Sequence, residues 1–315
     1  EYIKQNVVMI GPTGVGKTGA SILLAKALDT EIISADSMQV YKHMDIGTAK
    51  PTPEERAIVK HHMIDIVKPR EAYSTGNYIK EVAPIIDNLH RRGKIPIVVG
   101  GTGLYIKAMT RGIFSGLSAD WSLREELLSM EREERGSLYD YLKELDPQAA
   151  ERITPGDTRR IIRALEVCVK STMSMSETQK KLTRPLPYEF IKVGLHRDRK
   201  ELYRMIEQRV DKMINEGLVE EVKGIINLLT IHTASLVTHY SSMQAISYKE
   251  IALHLKGEIT LEEAIRLIKR GTKRYAKRQI TWFKKEEEIH WIDITGIYDS
   301  YEIYLLVQRT LSGLL

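Results

Sequence analysis

The residues with the clearest chemical meaning occupy positions 11–18 and read Gly-Pro-Thr-Gly-Val-Gly-Lys-Thr. This pattern is typical of a phosphate-binding loop, and it lies where such a loop must lie, between an apolar run at 7–10 and a helix-prone stretch at 21–28. The glycines let backbone N–H groups converge on phosphate oxygens, and the helix that follows adds its positive end. The segment therefore predicts a site for a polyphosphate.

Two side chains of this loop have specific predicted roles. Lys17 brings positive charge to the phosphates, and the Thr18 hydroxyl can hold a magnesium ion, Mg²⁺, which is the one cofactor we expect. A plain glycine-rich turn is the alternative, but every fixed position of the motif is filled. The predicted phosphate contacts within the loop are Gly11, Thr13, Gly14, Gly16, Lys17 and Thr18.

A second glycine-rich segment, Gly-Gly-Thr-Gly at 100–103, follows the apolar run at 95–99. In a typical ATPase such a strand ends in an acid that orders the magnesium ion, so this ending counts against an ATP-hydrolysing motor. The glycines allow backbone to approach a ligand, and Thr102 can donate its hydroxyl to a phosphate oxygen. Taken alone, the segment is equally compatible with a plain tight turn.

Another strand end carries a carboxylate, because Asp36 follows the apolar run at 31–35. Ligands of doubly wound sheets bind at the carboxyl ends of the strands, so Asp36 should share an edge with the phosphate loop. Asp36 can act as a general base or hold Mg²⁺ through water. The alternative is that its side chain only caps the next structural element. Ser37 and Gln39 can hydrogen-bond an extended partner.

Arg209 lies at an unexpected place in a predicted helix at 198–215. The apolar face of that helix carries Leu202, Ile206 and Val210, and Arg209 falls in the middle of this stripe at about 100° per residue. An arginine aimed inward is costly unless it meets an anion. A diphosphate at the sheet edge is one candidate for that anion, and a buried protein carboxylate is the other.

The segment 264–285 contains nine Lys or Arg residues and no acid. On a helix, Arg266, Lys269, Arg270, Lys273 and Lys277 gather opposite the apolar face. An ordinary solvated face mixes charges of both signs, whereas an acid-free face about 30 Å long suits a nucleic-acid backbone. Arg159, Arg160 and Arg163 form a second basic cluster, on a helix predicted at 157–170.

The elements that must position these residues alternate between strand and helix in the first third of the chain. Predicted strands lie at 7–10, 31–35, 62–67, 95–100, 190–195 and 289–294, and predicted helices at 18–28, 53–60 and 76–92. This alternation favours an α/β fold with a doubly wound parallel sheet built around the phosphate loop. Asp198 with Glu201 has the spacing of a capping box for the helix at 198–215.

Strand signals stop in the middle of the chain. Helical segments are predicted there at 122–135, 137–145, 157–170 and 176–181, with prolines between them. We therefore predict a discontinuous α/β core of residues 1–115 and 188–315 and an inserted all-helical domain of residues 116–187.

Composition sets wider limits. The 315 residues carry a net charge of +5 and a single cysteine, so no intrachain disulfide can form. Cys168 shares an apolar helical stripe, which indicates packing and not a nucleophile. Neither a membrane span nor a signal peptide is recognisable. We expect a cytoplasmic monomer that does not associate with membranes.

Six motifs span most of the chain: GPTGVGKT at 11–18, DSMQVY at 36–41, MDIGTAKP at 44–51, GGTGLY at 100–105, RRIIRALEV at 159–167 and RYAKRQITWF at 274–283. Together they resemble the tRNA dimethylallyltransferases, which prenylate the exocyclic amine of the adenosine 3′ to the anticodon. The resemblance implies dimethylallyl diphosphate and the tRNA anticodon stem-loop as partners. It also implies a target base flipped into a channel that leads to the phosphate loop.

The resemblance implies roles for individual residues. Asp36 is expected to be the base for the adenine amine, Thr102 a further catalytic residue that contacts diphosphate and the flipped nucleotide, and Arg209 a diphosphate contact. The predicted tRNA contacts are Asp36, Ser37, Met38, Gln39, Arg124, Arg159, Arg160, Arg163, Lys273, Lys277 and Arg278.

The chain also departs from the family pattern. Ser247 stands where the family usually has glycine, the stretch 225–242 matches poorly, and nothing resembles the zinc finger of eukaryotic members. A bacterial-type enzyme is therefore expected. The competing functions are a small-molecule kinase, a nucleic-acid-binding ATPase and a free-adenylate prenyltransferase. None of these functions requires both the basic helical surfaces and the Gly-Gly-Thr-Gly strand end.

Overall fold

The structure, a computed structural model, describes residues 4–114, 120–171, 173–230 and 240–314. The chain divides into two compact units, which we call the core unit (Glu1–Ile106 and Pro187–Leu315) and the insertion unit (Lys107–Leu186). The sequence prediction began the insertion at 116, so it assigned residues 107–115 to the core. Residues 231–239, within the stretch that matches the family pattern poorly, lie outside the described residues.

The described residues form eight strands and fourteen α-helices. The strands are β1 (Gln5–Ile10), β2 (Ile32–Ala35), β3 (His61–His62), β4 (Ile97–Gly100), β5 (Ile113–Phe114), β6 (Thr183–Arg184), β7 (Glu189–His196) and β8 (Ile289–Asp293). The helices are α1 (Lys17–Ala27), α2 (Pro53–Ile58), α3 (Thr75–Arg91), α4 (Gly103–Thr110), α5 (Trp121–Glu133), α6 (Ser137–Leu145), α7 (Pro147–Arg152), α8 (Thr158–Lys170), α9 (Met175–Leu182), α10 (Arg199–Asn215), α11 (Leu218–Thr230), α12 (Tyr248–Leu255), α13 (Leu261–Phe283) and α14 (Ser300–Leu311).

Six strands of the core unit form one parallel sheet in the order β3-β2-β4-β1-β7-β8. In the central strands Met9 pairs with Val99 on β4 and with Val193 on β7. Helices cover both faces of such a sheet, so its strands are continuous apolar runs, and Met9 and Val193 have no exposed surface. The predicted doubly wound parallel fold is confirmed. Because all strands run the same way, the chain after β1, β2 and β4 emerges at one edge.

The strand predicted at 62–67 is wrong in its length, since β3 contains only two residues. Met63 and Asp65 have φ values of 64° and 57°, which a β-strand does not accommodate. The chain beyond them follows another loop, and the N–H groups of Ile66 and Val67 donate to Val40 O at 2.8 and 3.0 Å. Helices α4, α7, α11, α12 and α14 were not predicted.

The capping box predicted for α10 is half formed. The Asp198 carboxylate accepts hydrogen bonds from the N–H groups of Lys200 and Glu201 at 2.9 and 3.1 Å. Glu201 does not return the bond, because its carboxylate binds Arg197 and accepts from the Gly296 N–H. Gly296, in the chain segment after β8, is therefore a partner of Glu201 that a local sequence pattern cannot show.

Helices α10 to α13 pack into a second apolar core within the core unit, together with the loop after β2, which contributes Val40, Tyr41 and Met44. One carboxylate holds this loop. Glu221 accepts hydrogen bonds from the backbone N–H groups of Asp45, Ile46 and Gly47 at 2.8, 2.8 and 3.1 Å. A helix side chain therefore positions the loop residues that line the site described below.

The insertion unit has its own apolar core of α5 to α9, centred on Leu138, Leu142 and Leu165. It is not all-helical as predicted, because β5 and β6 form a short antiparallel pair in which Ile113 lies opposite Arg184. The pair brings together the two chain segments that enter and leave the helices. Such a two-residue ladder has no alternating pattern long enough to recognise in a sequence.

A buried carboxylate organises the basic residues of the insertion unit. Glu166 has no exposed surface and forms ion pairs with both Arg124, at 2.8 Å, and Arg163. Burial alone would raise the pKa of Glu166, but hydrogen bonds from Arg124, from the Asp120 N–H and from Arg163 outweigh it and lower the pKa to about 2. Arg124 and Arg163, which were expected to contact RNA, are thus engaged in holding α5 to α8.

Two smaller expectations concern the thiol and membrane association. Cys168 is half-buried and burial raises its pKa, which fits an unreactive packing residue. Among the described residues, no helix combines the length and the apolar character that crossing a membrane requires.

Candidate active site

The phosphate loop connects β1 to α1 at the carboxyl edge of the sheet. Gly14 and Gly16 have φ values of 84° and 104°, which glycine adopts without cost, and Gly16 caps the N-terminus of α1. The Lys17 ammonium folds over the loop and donates to Gly11 O and Pro12 O at 2.9 and 3.0 Å. The loop therefore has the shape that its sequence predicts, with its lysine held at the mouth.

A cavity of about 320 Å³ adjoins this loop. Most predicted phosphate contacts line it, namely Thr13, Gly14, Gly16, Lys17, Thr18 and Arg209. Gly11 does not. A Cβ atom at Gly11 would lie 2.7 Å from Leu195 O, so this glycine is required by the close approach of β7. The prediction that Gly11 contacts phosphate is therefore not supported by its position.

Arg209 faces this cavity from α10 in the way the helical pattern suggested. Its Nη2 donates to Thr13 Oγ1 at 2.8 Å, and its Nε is buried without a hydrogen-bond partner. Burial lowers the pKa of Arg209, and the nearby Asp36 acts against that lowering. Within the described parts of the chain no carboxylate forms an ion pair with Arg209, so the geometry favours an external anion over an internal partner.

Asp36 and Thr102 lie side by side at the ends of β2 and β4. The Thr102 N–H donates to Ala35 O at 3.1 Å, and Thr102 Oγ1 accepts from the Ser37 N–H at 3.0 Å, so the two bonds bracket Asp36. Asp36 Oδ1 accepts from the N–H groups of Met38 and Gln39 at 2.8 and 3.4 Å. One oxygen thus caps the following turn, as the alternative proposed, and the other is available to a ligand.

A second cavity, of about 310 Å³, lies beside the first. The two share Thr13, Asp36, Thr48 and Arg209, so the carboxylate and the guanidinium stand at their junction. Apolar side chains form much of the second lining, including Met38, Val210, Met213, Ala245 and Ile246. One cavity is therefore suited to phosphates and the other to an apolar group or a flat base, with Asp36 between them.

The remaining residues predicted around Asp36 differ in availability. Ser37 and Met38 line the second cavity. Gln39 lines the first, but its side chain accepts from Ser34 at 3.0 Å and donates to the carbonyls of Thr48 and Ala49. The Gln39 amide therefore holds β2 to a neighbouring loop, and its predicted contact with RNA has no free donor to support it.

The basic face of α13 meets acids that a helical wheel cannot show. Lys269 forms an ion pair with Asp211 at 2.6 Å, and Lys273 forms one with Glu207, both acids lying on α10. Arg278 lines the second cavity, and Lys277 is exposed. The surface that remains for nucleic acid is thus smaller than the sequence indicated and lies toward the C-terminal half of the helix.

The sequence reasoning missed two residues of α13. Gln279 is buried and bonded to the phosphate loop, and Tyr275 lines the second cavity. Burial, with a further contribution from Asp36, raises the pKa of Tyr275 to about 12, so its hydroxyl stays protonated. Both residues lie in the motif at 274–283, but neutral side chains inside a basic run have no distinctive sequence signal.

Ser247, at the position where a glycine was expected, lies in the wall of the second cavity with φ 85° and ψ −50°. These angles are those of a classic γ-turn, which is strained for a residue with a Cβ. We expect Ser247→Gly to stabilise the protein by about 1 kcal/mol, raising the melting temperature by a few degrees. The bond from the 247 N–H to Glu250, at 2.9 Å, is kept in the variant.

Ser241 provides the matched control for this prediction. It lines the same cavity but has helical angles, φ −58° and ψ −34°. Ser241→Gly should therefore destabilise slightly, because glycine loses more conformational freedom on folding. Equal melting shifts of the same sign in the two variants would show that backbone strain at Ser247 is not the cause.

We expect Lys17 to make anion binding sensitive to pH. Burial lowers the pKa of Lys17 to about 8, Arg209 contributes to that lowering, and Asp36 opposes it. The ammonium is charged below this pH and neutral above it, so affinity for inorganic pyrophosphate should fall as the pH rises from 7 to 9, by up to about tenfold per unit above the pKa. Titration calorimetry should also detect proton uptake on binding near pH 8.5. Because pyrophosphate itself ionises with pH, the control is Lys17→Arg, whose side chain stays charged and whose profile therefore shows the effect of the ligand alone. Identical pH profiles of the parent protein and Lys17→Arg would contradict the role given to Lys17.

Comparison with known proteins places the chain in a family. The sequence model of the family described as IPP transferase matches residues 39–286. The tRNA dimethylallyltransferase of Thermodesulfovibrio yellowstonii is 56% identical over 309 residues, which cover 98% of each chain.

Solved structures agree with this result. The full-length tRNA isopentenylpyrophosphate transferase of Bacillus halodurans has a TM-score of 0.71 at 41% identity, covering 98% of this chain and 96% of its own. A eukaryotic dimethylallyltransferase acting on tRNA has a TM-score of 0.81 at 31% identity, covering 98% of this chain and 80% of its own. The chain belongs to the IPP transferase family, whose relatives bear the name tRNA dimethylallyltransferase.

Proposed function

We propose that this chain transfers the dimethylallyl group of dimethylallyl diphosphate to N6 of the adenosine 3′ to the anticodon, position 37 of tRNA, and releases diphosphate. One observation carries the proposal. Asp36 stands at the junction of a phosphate-loop cavity, which contains the unpaired Arg209, and a cavity with an apolar lining. An enzyme that joins a base amine to an allylic carbon needs this pair of compartments.

The reaction breaks the bond between the allylic carbon and the diphosphate oxygen and forms a bond from that carbon to N6. Negative charge grows on the leaving diphosphate, and the loop N–H groups, Lys17 and Arg209 stabilise it. The amine becomes more acidic as the new bond forms, and its proton passes to Asp36. Thr102, which is hydrogen-bonded to the residue beside Asp36, keeps the carboxylate at the junction.

Mg²⁺ fits the donors of the phosphate-loop cavity. The Thr18 hydroxyl and the Asp36 carboxylate both line it, and Mg²⁺ is commonly held by one or two such groups together with phosphate oxygens and water. The described residues contain no group of three or more His, Cys, Asp or Glu that could hold a metal alone. The ion would neutralise charge on the diphosphate and would bind together with it.

We further propose that tRNA binds through its anticodon stem-loop and that the target adenosine leaves its stack to reach Asp36. The unpaired basic residues toward the end of α13 support this, since Arg278 lines the second cavity and Lys277 is exposed nearby. The site of action would be the cytoplasm, where tRNA is found.

The test is an incubation with dimethylallyl diphosphate labelled in the allyl group. Label should appear in tRNA, at the adenosine 3′ to the anticodon, and not in free AMP. Transfer to AMP instead would make the chain a free-adenylate prenyltransferase. Transfer of the γ-phosphate from labelled ATP to a small molecule would support a kinase, and no label transfer from either donor would contradict the proposal.

A further inference from the structure

Gln279 on α13 occupies an unusual position between two parts of the site. Its Oε1 accepts a hydrogen bond from the Thr13 N–H at 2.8 Å, and its Nε2 donates to Gly101 O at 2.8 Å. The residue is 5% exposed, and the bond to Gly101 O is buried while the bond from the Thr13 N–H is partly buried. One carboxamide therefore ties the phosphate loop to the strand end that carries Thr102.

The glycines on either side of Thr102 are explained by the same helix. A Cβ atom at Gly101 would lie 2.2 Å from Gln279 Nε2, and one at Gly103 would lie 2.4 Å from the Trp282 ring. A Cβ atom at either position would force the Gln279 amide or the Trp282 ring to move from its place. The turn that bears Thr102 is thus pressed against α13, and its two flanking glycines are needed for that approach.

The bonds of Gln279 complete a connected chain across the site. Arg209 donates to Thr13 Oγ1, and Thr13 donates its N–H to Gln279. On the other side Gln279 reaches Gly101, the residue before Thr102, and Thr102 accepts from Ser37, the residue after Asp36. The groups predicted to hold diphosphate are therefore joined through Gln279 to the carboxylate predicted to take the proton.

We propose that Gln279 is a positioning residue that sets the distance between the leaving diphosphate and the Asp36 base. The inference rests on the proposed function. No contact with either substrate is attributed to Gln279, although it lines the phosphate-loop cavity, because Thr13 uses its Oε1 and Gly101 O uses one N–H of its Nε2. Loss of the bridge should leave each substrate able to bind while the two are held at the wrong separation.

The first test is Gln279→Leu, which removes both bonds at similar volume. The turnover number should fall about tenfold to a hundredfold, because a misplacement near 1 Å can cost that much. The dissociation constants for inorganic pyrophosphate and for tRNA, each measured alone, should stay within about threefold. If the parent protein is active and Gln279→Leu has the same turnover number, the inference is overturned. It is also overturned if the affinity of the variant for pyrophosphate falls by as large a factor as its turnover number.

Asn6→Leu controls for lost stability. Asn6 is also a fully buried carboxamide that joins separate elements, through Glu189 O at 3.1 Å and His90 at 3.1 Å, but it lines neither cavity. Its variant should melt earlier and keep its turnover number at temperatures well below melting. If Gln279→Leu behaves in the same way, Gln279 is merely structural.

Gln279→Glu gives a readout that a merely structural role would not move. The new carboxylate can still accept from the Thr13 N–H, but it repels Gly101 O until it is protonated and can donate to it. The ratio of variant to parent turnover should therefore rise as the pH falls from 8 to 5.5. A flat ratio over this range would contradict the bridge. An inactive parent protein would instead overturn the proposed function, so the two failures are distinguishable.

Discussion

Asp36→Asn is expected to lower the turnover number for prenyl transfer by about 10²–10⁴, the usual cost of losing a general base. The amide keeps the shape of the side chain and can still accept from the N–H groups of Met38 and Gln39, so the turn after β2 should remain. It cannot accept the proton of the adenine amine. The affinity for tRNA should therefore stay within a few-fold, and the loss should appear in turnover.

Single-turnover rates with saturating tRNA provide the measurement. The control is Asp29→Asn, which changes the same functional group at a highly exposed position, where the Asp29 side chain is 95% exposed. That variant should match the parent protein. Near-normal turnover of Asp36→Asn would exclude Asp36 as the base, and a parallel loss of tRNA affinity would make it a binding residue.

The position of Asp36 shows what could be predicted from the sequence. In a parallel sheet the carboxyl ends of neighbouring strands meet at one edge, so residues that directly follow buried runs must converge. Lys17, Asp36 and Thr102 each come after such a run. Lys17 and Asp36 line one cavity, and Thr102 accepts a hydrogen bond from the residue after Asp36. Short-range pattern and topology were sufficient, and no distant contact had to be guessed.

The residues that sequence reasoning misjudged depend on contacts between distant segments. Thr13 and Gln279 are 266 positions apart, and no local pattern links them. The acids that neutralise Lys269 and Lys273 belong to α10, so a wheel drawn for α13 alone overstated its charge. Packing between elements decides which polar groups remain available, and that information is absent from the periodicity of any one element.

Arg209→Ala should raise the Michaelis constant for dimethylallyl diphosphate by about 10–10², since a hydrogen bond to a charged group contributes about 1.5–3 kcal/mol. The Michaelis constant for tRNA should change far less. Arg209→Lys should rescue the loss only in part, because a single ammonium cannot form two parallel bonds to phosphate oxygens as a guanidinium does.

The effect on stability separates a ligand contact from a structural role. In the free protein Arg209 is a partly buried cation with an unpartnered Nε, and burial lowers its pKa. Its removal therefore relieves a cost and should lower the melting temperature little or not at all. Added inorganic pyrophosphate should raise the melting temperature of the parent protein, and it should raise that of Arg209→Ala much less.

Arg204→Ala is the matched control, since Arg204 is exposed on the same helix. This variant should have the melting temperature of the parent protein and the same response to pyrophosphate. If Arg209→Ala melts many degrees earlier and keeps the parent's response to pyrophosphate, the guanidinium serves the fold, and the anion at this junction must be held by the phosphate loop alone.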